Sequence, residues 1–180
     1  MKMKIMLGFV GICICSNVFA GNHRPAVIDG GIMHMRGAIT APACIASTRS
    51  NAQIIDLGEF RSNQFNGVGT FASPVPFYIH LARCNAAVRE RVAITFLGVS
   101  DSKDPLILRT GQGNNVATGI GLAIFNNAGD IVQPNMKPDS GVYLNSSEMA
   151  LRFVARYRAT SLQVTGGNAD AWTWFSLSYQ

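Results

Sequence analysis

The chain has 180 residues, 48% of them hydrophobic and 14% charged, with a formal net charge of +5. The basic side chains are scattered, so this modest excess does not mark a nucleic-acid surface. The length fits one domain with a sizeable core.

Residues 1–20 read as a secretory signal. Lys2 and Lys4 open it, Ile5 to Cys15 is apolar, and Val18-Phe19-Ala20 ends on a small residue. That is the order of n-region, h-region and cleavage site; the charged flank and small-residue stop argue against a buried N-terminal helix. The apolar run is too short for a bilayer, which takes roughly 20 residues. Cleavage after Ala20 is expected to leave 160 residues carrying thirteen basic and ten acidic side chains, a net charge of +3.

A loose stretch from Gly21 to Gly30 follows. Then comes an alternating segment: Gly31, Met33, Met35, Gly37 and Ile39 share one face, and Ile32, His34, Arg36 and Ala38 the other. Beyond Cys44, a strand is expected over Gln53 to Leu57. Further strands are expected over Val75 to Leu81 (Phe77, Ile79 and Leu81 inward), Val92 to Leu97 (Val92, Ile94 and Phe96) and Ile120 to Phe125 (Ile120, Leu122 and Ile124). The clearest period of two runs from Leu151 to Thr160. Leu151, Phe153, Ala155 and Tyr157 form a buried row, and Arg152, Arg156 and Arg158 an opposite row read as a solvated face rather than a ligand patch. A last strand is expected over Trp172 to Tyr179. Turn formers separate these runs at Asn66-Gly67, Gly111 to Asn115, Asn126 to Asp130, Pro134 to Gly141 and Thr165 to Asn168. No amphipathic helix or internal repeat is evident. Many short strands between turns indicate an all-β sandwich or barrel.

Cys13 and Cys15 leave with the signal. Cys44 and Cys84 remain, and an even pair in an exported chain implies one disulfide. In the chain-entropy account such a loop closure stabilises by about 4 kcal/mol. A metal site is the weaker alternative, since only His80, four residues before Cys84, could join.

Nothing converges on catalysis. His23 lies in the loose leader, His34 in the alternating segment, and His80 faces away from the apolar row of its strand. There is no G-x-S-x-G elbow, no pair of carboxylates suited to glycoside cleavage and no third glycine after Gly119-Ile120-Gly121. No metal or cofactor is expected. Asn145-Ser146-Ser147 matches a glycosylation acceptor, a triplet common by chance. Trp172, Trp174, Tyr143 and Tyr157 could stack on sugar, but aromatics in a sandwich more often pack against its core or edges.

The two ends carry the functional signal. A strand ending at Gln180 is expected to leave its own edge open, and an apolar open edge aggregates unless something pairs with it. The alternating segment of another copy could add to that edge by β-strand addition. Such a head-to-tail contact does not close and builds filaments.

At this point the sequence resembles a known family, the chaperone–usher pilins, in particular type 1 fimbrial subunits. The resemblance runs through Gly37-Ala38-Ile39 before Cys44, Ile55-Asp56-Leu57-Gly58, and Phe77-Tyr78-Ile79-His80-Leu81 before Cys84. It continues through Ala117-Thr118-Gly119-Ile120-Gly121, the run from Phe153 to Thr160, and Phe175 to Gln180. It implies an incomplete immunoglobulin-like sandwich in residues 40–180, completed by a donor strand. Residues 21–39 would be the donor-strand extension, with Gly31, Met33, Met35, Gly37 and Ile39 entering a neighbour's groove. The implied partners are a periplasmic chaperone, an outer-membrane usher and other pilin subunits. The implied destination is a fimbrium on the cell surface, supporting adhesion. A glycine fourteenth from the end and a penultimate aromatic form the family's recognition motif; Gly167 and Tyr179 occupy those places, with Phe175 and Leu177 between. Phrases such as Ser73-Pro74-Val75-Pro76-Phe77 and Arg89-Glu90-Arg91-Val92 look closest to a minor subunit rather than the major rod pilin. With 160 mature residues, the extra lectin domain of a tip adhesin is not expected. The alternative expectation is a self-complemented immunoglobulin-like module that binds sugar or protein.

Overall fold

A computed structural model describes residues 36–37, 44–50, 52–85, 90–139 and 141–180. The signal segment and most of the alternating N-terminal segment, including Gly31, Met33, Met35 and Ile39, lie outside the described residues. The chain divides into two units, Met1–Ile39 and Thr40–Gln180. Of the first, Arg36 and Gly37 are described; both are exposed and outside any strand.

Among the described residues the second unit holds eight strands: β1 (Ile45–Ala46), β2 (Val75–Ala82), β3 (Arg91–Leu97), β4 (Leu108–Arg109), β5 (Ile120–Phe125), β6 (Val142–Tyr143), β7 (Glu148–Ala159) and β8 (Trp174–Tyr179). They form two sheets, β1-β2-β7-β5-β4 and β6-β3-β8, and every strand pairing is antiparallel. Because side chains alternate along each strand, each sheet offers one apolar row, and the two rows meet as the core. In the first sheet Phe77 pairs with Phe153 and Ile79 with Leu151. In the second, Phe96 pairs with Phe175 and Ile94 with Leu177. At the centre Phe153 stacks on Phe77, with ring centroids 5.6 Å apart, and meets Phe96 edge-on at 5.1 Å. Such contacts add about 0.5–1.5 kcal/mol each beyond burial. The Cys44–Cys84 disulfide joins the entrance of β1 to the exit of β2, and both cysteines are buried.

Four of the expected strands appear as β2, β3, β5 and β7. Three differences have physical reasons. Gln53 to Leu57 is not a strand: among the described residues it joins no ladder, and Ile54 is 95% exposed. The last strand begins at Trp174 rather than Trp172, where pairing with β3 starts at Leu97. The arginine row of β7 is solvated only at Arg152. The Arg156 guanidinium lies 4.9 Å from the Phe71 ring centre and its Nε donates to the Ala72 carbonyl at 2.8 Å. Arg158 lies over the same ring and pairs with Asp104 at 3.0 Å. The Phe71 loop therefore covers a face that alternation alone assigned to water.

Candidate functional site: the groove beside the C-terminal strand

β8 is built for one-sided pairing. Its ladder with β3 continues to the last residue, where Arg91 and Gln180 exchange backbone hydrogen bonds of 2.8 and 2.9 Å. Along its other flank no strand pairs with it among the described residues. The consequence shows in the side chains. Val92, Ile94 and Phe96 of β3 are buried, whereas their partners Tyr179, Leu177 and Phe175 are only half-buried against the same core. Backbone donors and acceptors along that flank are offered outward, the condition that invites strand addition.

A second unpaired segment carries Ile55, Leu57 and Phe60, which also pack half-buried on the core. Two features flank these segments. At one end the Tyr179 hydroxyl donates to the Cys44 carbonyl at 2.6 Å and accepts from the Cys44 N–H at 3.2 Å. At the other end lies a cleft of about 410 Å³, lined by Phe60, Ala117, Ile120, Tyr157, Val164 and Gly167 among others. Tyr157 projects from β7 into its floor, meets Phe60 edge-on and donates to the Ala169 carbonyl. Burial raises the Tyr157 pKa, and the carboxylates of Asp170 and Asp56 push it the same way. Burial also raises that of Tyr179; the Cys44 hydrogen bond opposes this and Glu90 adds to it.

The structure separates the residues of the expected recognition motif. Phe175, Leu177 and Tyr179 line one border, while Gly167 sits at the cleft end. Gly167 has φ +151°, and a Cβ there would lie 2.5 Å from the Val116 carbonyl carbon and 2.6 Å from the Ala117 nitrogen. Two backbones touch at this point, tied by Ala117 N–H to Asn168 O at 2.9 Å and Asn168 N–H to Asn115 O at 2.8 Å. Glycine is required there by close approach. The Tyr179–Cys44 contact, 135 residues apart in sequence, and the role of Tyr157 have no local sequence signal. His80 lies half-buried on the outer face of β2 beside Tyr78, away from the groove. Among the described residues no three His, Cys, Asp or Glu side chains group as metal ligands.

Two antiparallel sheets joined by one disulfide, with the outer flank of the last strand unpaired among the described residues, are the architecture of a pilin domain. A model of the fimbrial protein family matches residues 33–180, and the chain belongs to that family: it is a fimbrial subunit. It is 38% identical over 172 residues to the putative fimbrin-like protein FimI of Salmonella typhi, covering 94% of this chain and 95% of that protein. It is 30% identical over 189 residues to the fimbrial subunit type 1 of Salmonella typhimurium, covering both chains fully. Among solved structures, the P pilus rod subunit PapA shares the fold, with a TM-score of 0.66 and 24% identity over 77% of this chain and all of that one.

Proposed function

We propose that this chain is a structural, non-catalytic subunit of a type 1-like fimbria, assembled by the chaperone–usher pathway through donor-strand exchange. The observation that carries this reading is the unpaired flank of β8 beside the half-buried row Phe175, Leu177 and Tyr179. A strand added there would complete the sheet and bury that row. In the periplasm a chaperone would supply the strand. At an outer-membrane usher the N-terminal segment of the next subunit would replace it, with Gly31, Met33, Met35, Gly37 and Ile39 inward. Methionine suits a groove of irregular shape, being unbranched and flexible. The phrases that resemble a minor subunit, such as Ser73 to Phe77 and Arg89 to Val92, support a minor rather than a rod-forming role. The Cys44–Cys84 disulfide is consistent with export through an oxidising periplasm after cleavage at Ala20.

The test is co-purification from periplasm of the tagged chain, with and without a fimbrial chaperone. A one-to-one complex that dissociates on adding a peptide of residues 21–39 is the expected result. A soluble monomer indifferent to chaperone and peptide would overturn it and favour a self-complemented binding module. Recovery of the protein as the repeating unit of purified fibres would overturn the minor-subunit assignment.

A further inference from the structure

The outer face of the same edge strand carries an unexplained feature. Trp172 and Trp174, the two tryptophans of the chain, are 72% and 74% exposed and alternate with the inward residues of β8. Leu97, opposite Trp174 in the ladder, and the nearby Val99 are exposed as well. The Thr173 hydroxyl bonds the Leu97 and Trp174 carbonyls, each at 3.1 Å, and holds this stretch in place. Large indole faces held open to water beside an unpaired strand edge mark a contact surface.

The inference rests on the strand-exchange reading and specifies its partner. A strand seated on the free flank of β8 sends alternate residues inward and outward. Antiparallel seating matches every other strand pairing in the sandwich and is the more stable pairing per residue. Tyr179 already fills its end of the groove through its bonds to Cys44, so a glycine fits opposite it; of the two in the donor row, Gly31 keeps both methionines beside β8, whereas Gly37 there would carry them past Gln180. Met33 then faces Leu177 and Met35 faces Phe175. In that register the outward row sets Arg36 opposite Trp174 and the small Ala38 opposite Trp172. We propose that Trp174 and Trp172 form a cation–π seat for Arg36 of the N-terminal segment of a second copy of this chain. The outer face of the donated strand, and not only its inward side chains, then contributes to partner choice. A guanidinium over an indole face is a favourable pairing that survives at exposed sites, and the chain makes such contacts within itself, as with Arg91 over Tyr143 at 4.2 Å.

The experiment uses the full mature chain and dye-labelled peptides of residues 21–39, wild type and Arg36→Ala. Anisotropy reads binding; intrinsic tryptophan emission reads this face alone, because the chain has no other tryptophan. The expected result is an emission change with the wild-type peptide and binding about two- to five-fold weaker for the Arg36→Ala peptide. That difference should vanish when the chain carries Trp174→Ala, an exposed position that the fold tolerates. Equal binding of the two peptides to the wild-type chain, or a difference that persists in Trp174→Ala, would overturn the seat and leave strand exchange standing. Absence of any binding by anisotropy would overturn the strand-exchange reading, and this inference with it.

Discussion

Replacing Tyr179 by Phe keeps the ring in the groove border and removes only the hydroxyl. That hydroxyl makes two bonds to Cys44, donating to its carbonyl at 2.6 Å and accepting from its N–H at 3.2 Å. Cys44 is 2% exposed and sits at the disulfide, so both its backbone groups would lose a partner in a shielded place. An intramolecular hydrogen bond contributes about 1 kcal/mol net, and a buried group left unpaired costs about 1–3 kcal/mol. Tyr179 is only half-buried and water can enter behind the lost hydroxyl, so the lower part of that range applies, about 1–2 kcal/mol. For a domain of this size each kcal/mol lowers Tm by about 2–4 °C, giving a fall of roughly 3–6 °C. Thermal unfolding of the purified mature chain by circular dichroism measures this, and amide exchange at Cys44 localises it. The side chain also titrates. Burial raises the Tyr179 pKa above the ordinary 10.0, against the opposing effect of the Cys44 bond, so the folded state favours the protonated phenol. Its contribution is fully present below pH 10 and is lost as pH rises above that value. The gap between wild type and Tyr179→Phe should therefore narrow in that alkaline range. An unchanged Tm together with unchanged Cys44 protection at neutral pH would refute the reasoning.

Three other outcomes are expected. Cys44→Ser with Cys84→Ser should lower stability by up to about 4 kcal/mol and reduce periplasmic yield; denaturant titration that shows no loss would count against a stabilising cross-link. Gly167→Ala should destabilise by about 2 kcal/mol or more, since its Cβ meets backbone atoms of Val116 and Ala117 that cannot move aside cheaply. Faster amide exchange at Ala117 would accompany it, and a stable variant with normal protection there would show the close approach to be relaxed. Phe153→Ala, which empties the site between Phe77 and Phe96, should cost about 3–5 kcal/mol by chemical denaturation; a loss below 1 kcal/mol would mean the core collapses around the gap.

The sequence by itself determined the all-β class, the cross-linked cysteines and the buried faces of the long strands. The reason is that alternation over five or more residues is a local property: Leu151, Phe153, Ala155 and Tyr157 must lie together whatever β7 pairs with. The two-residue strands β1, β4 and β6 carry no period and were not legible, and Gln53 to Leu57 has strand-like composition but no ladder partner. What Arg156 and Arg158 face was decided by tertiary structure, because Phe71, more than eighty residues away, returns over that side of the sheet. The same holds for the groove. The alternation of Trp172 to Tyr179 announced an edge strand, but only the folded chain shows which neighbours define its open flank. The tie from Tyr179 to Cys44, the floor supplied by Tyr157 and the backbone contact that requires glycine at position 167 all join residues distant in sequence, and such pairings are set by how two sheets stack.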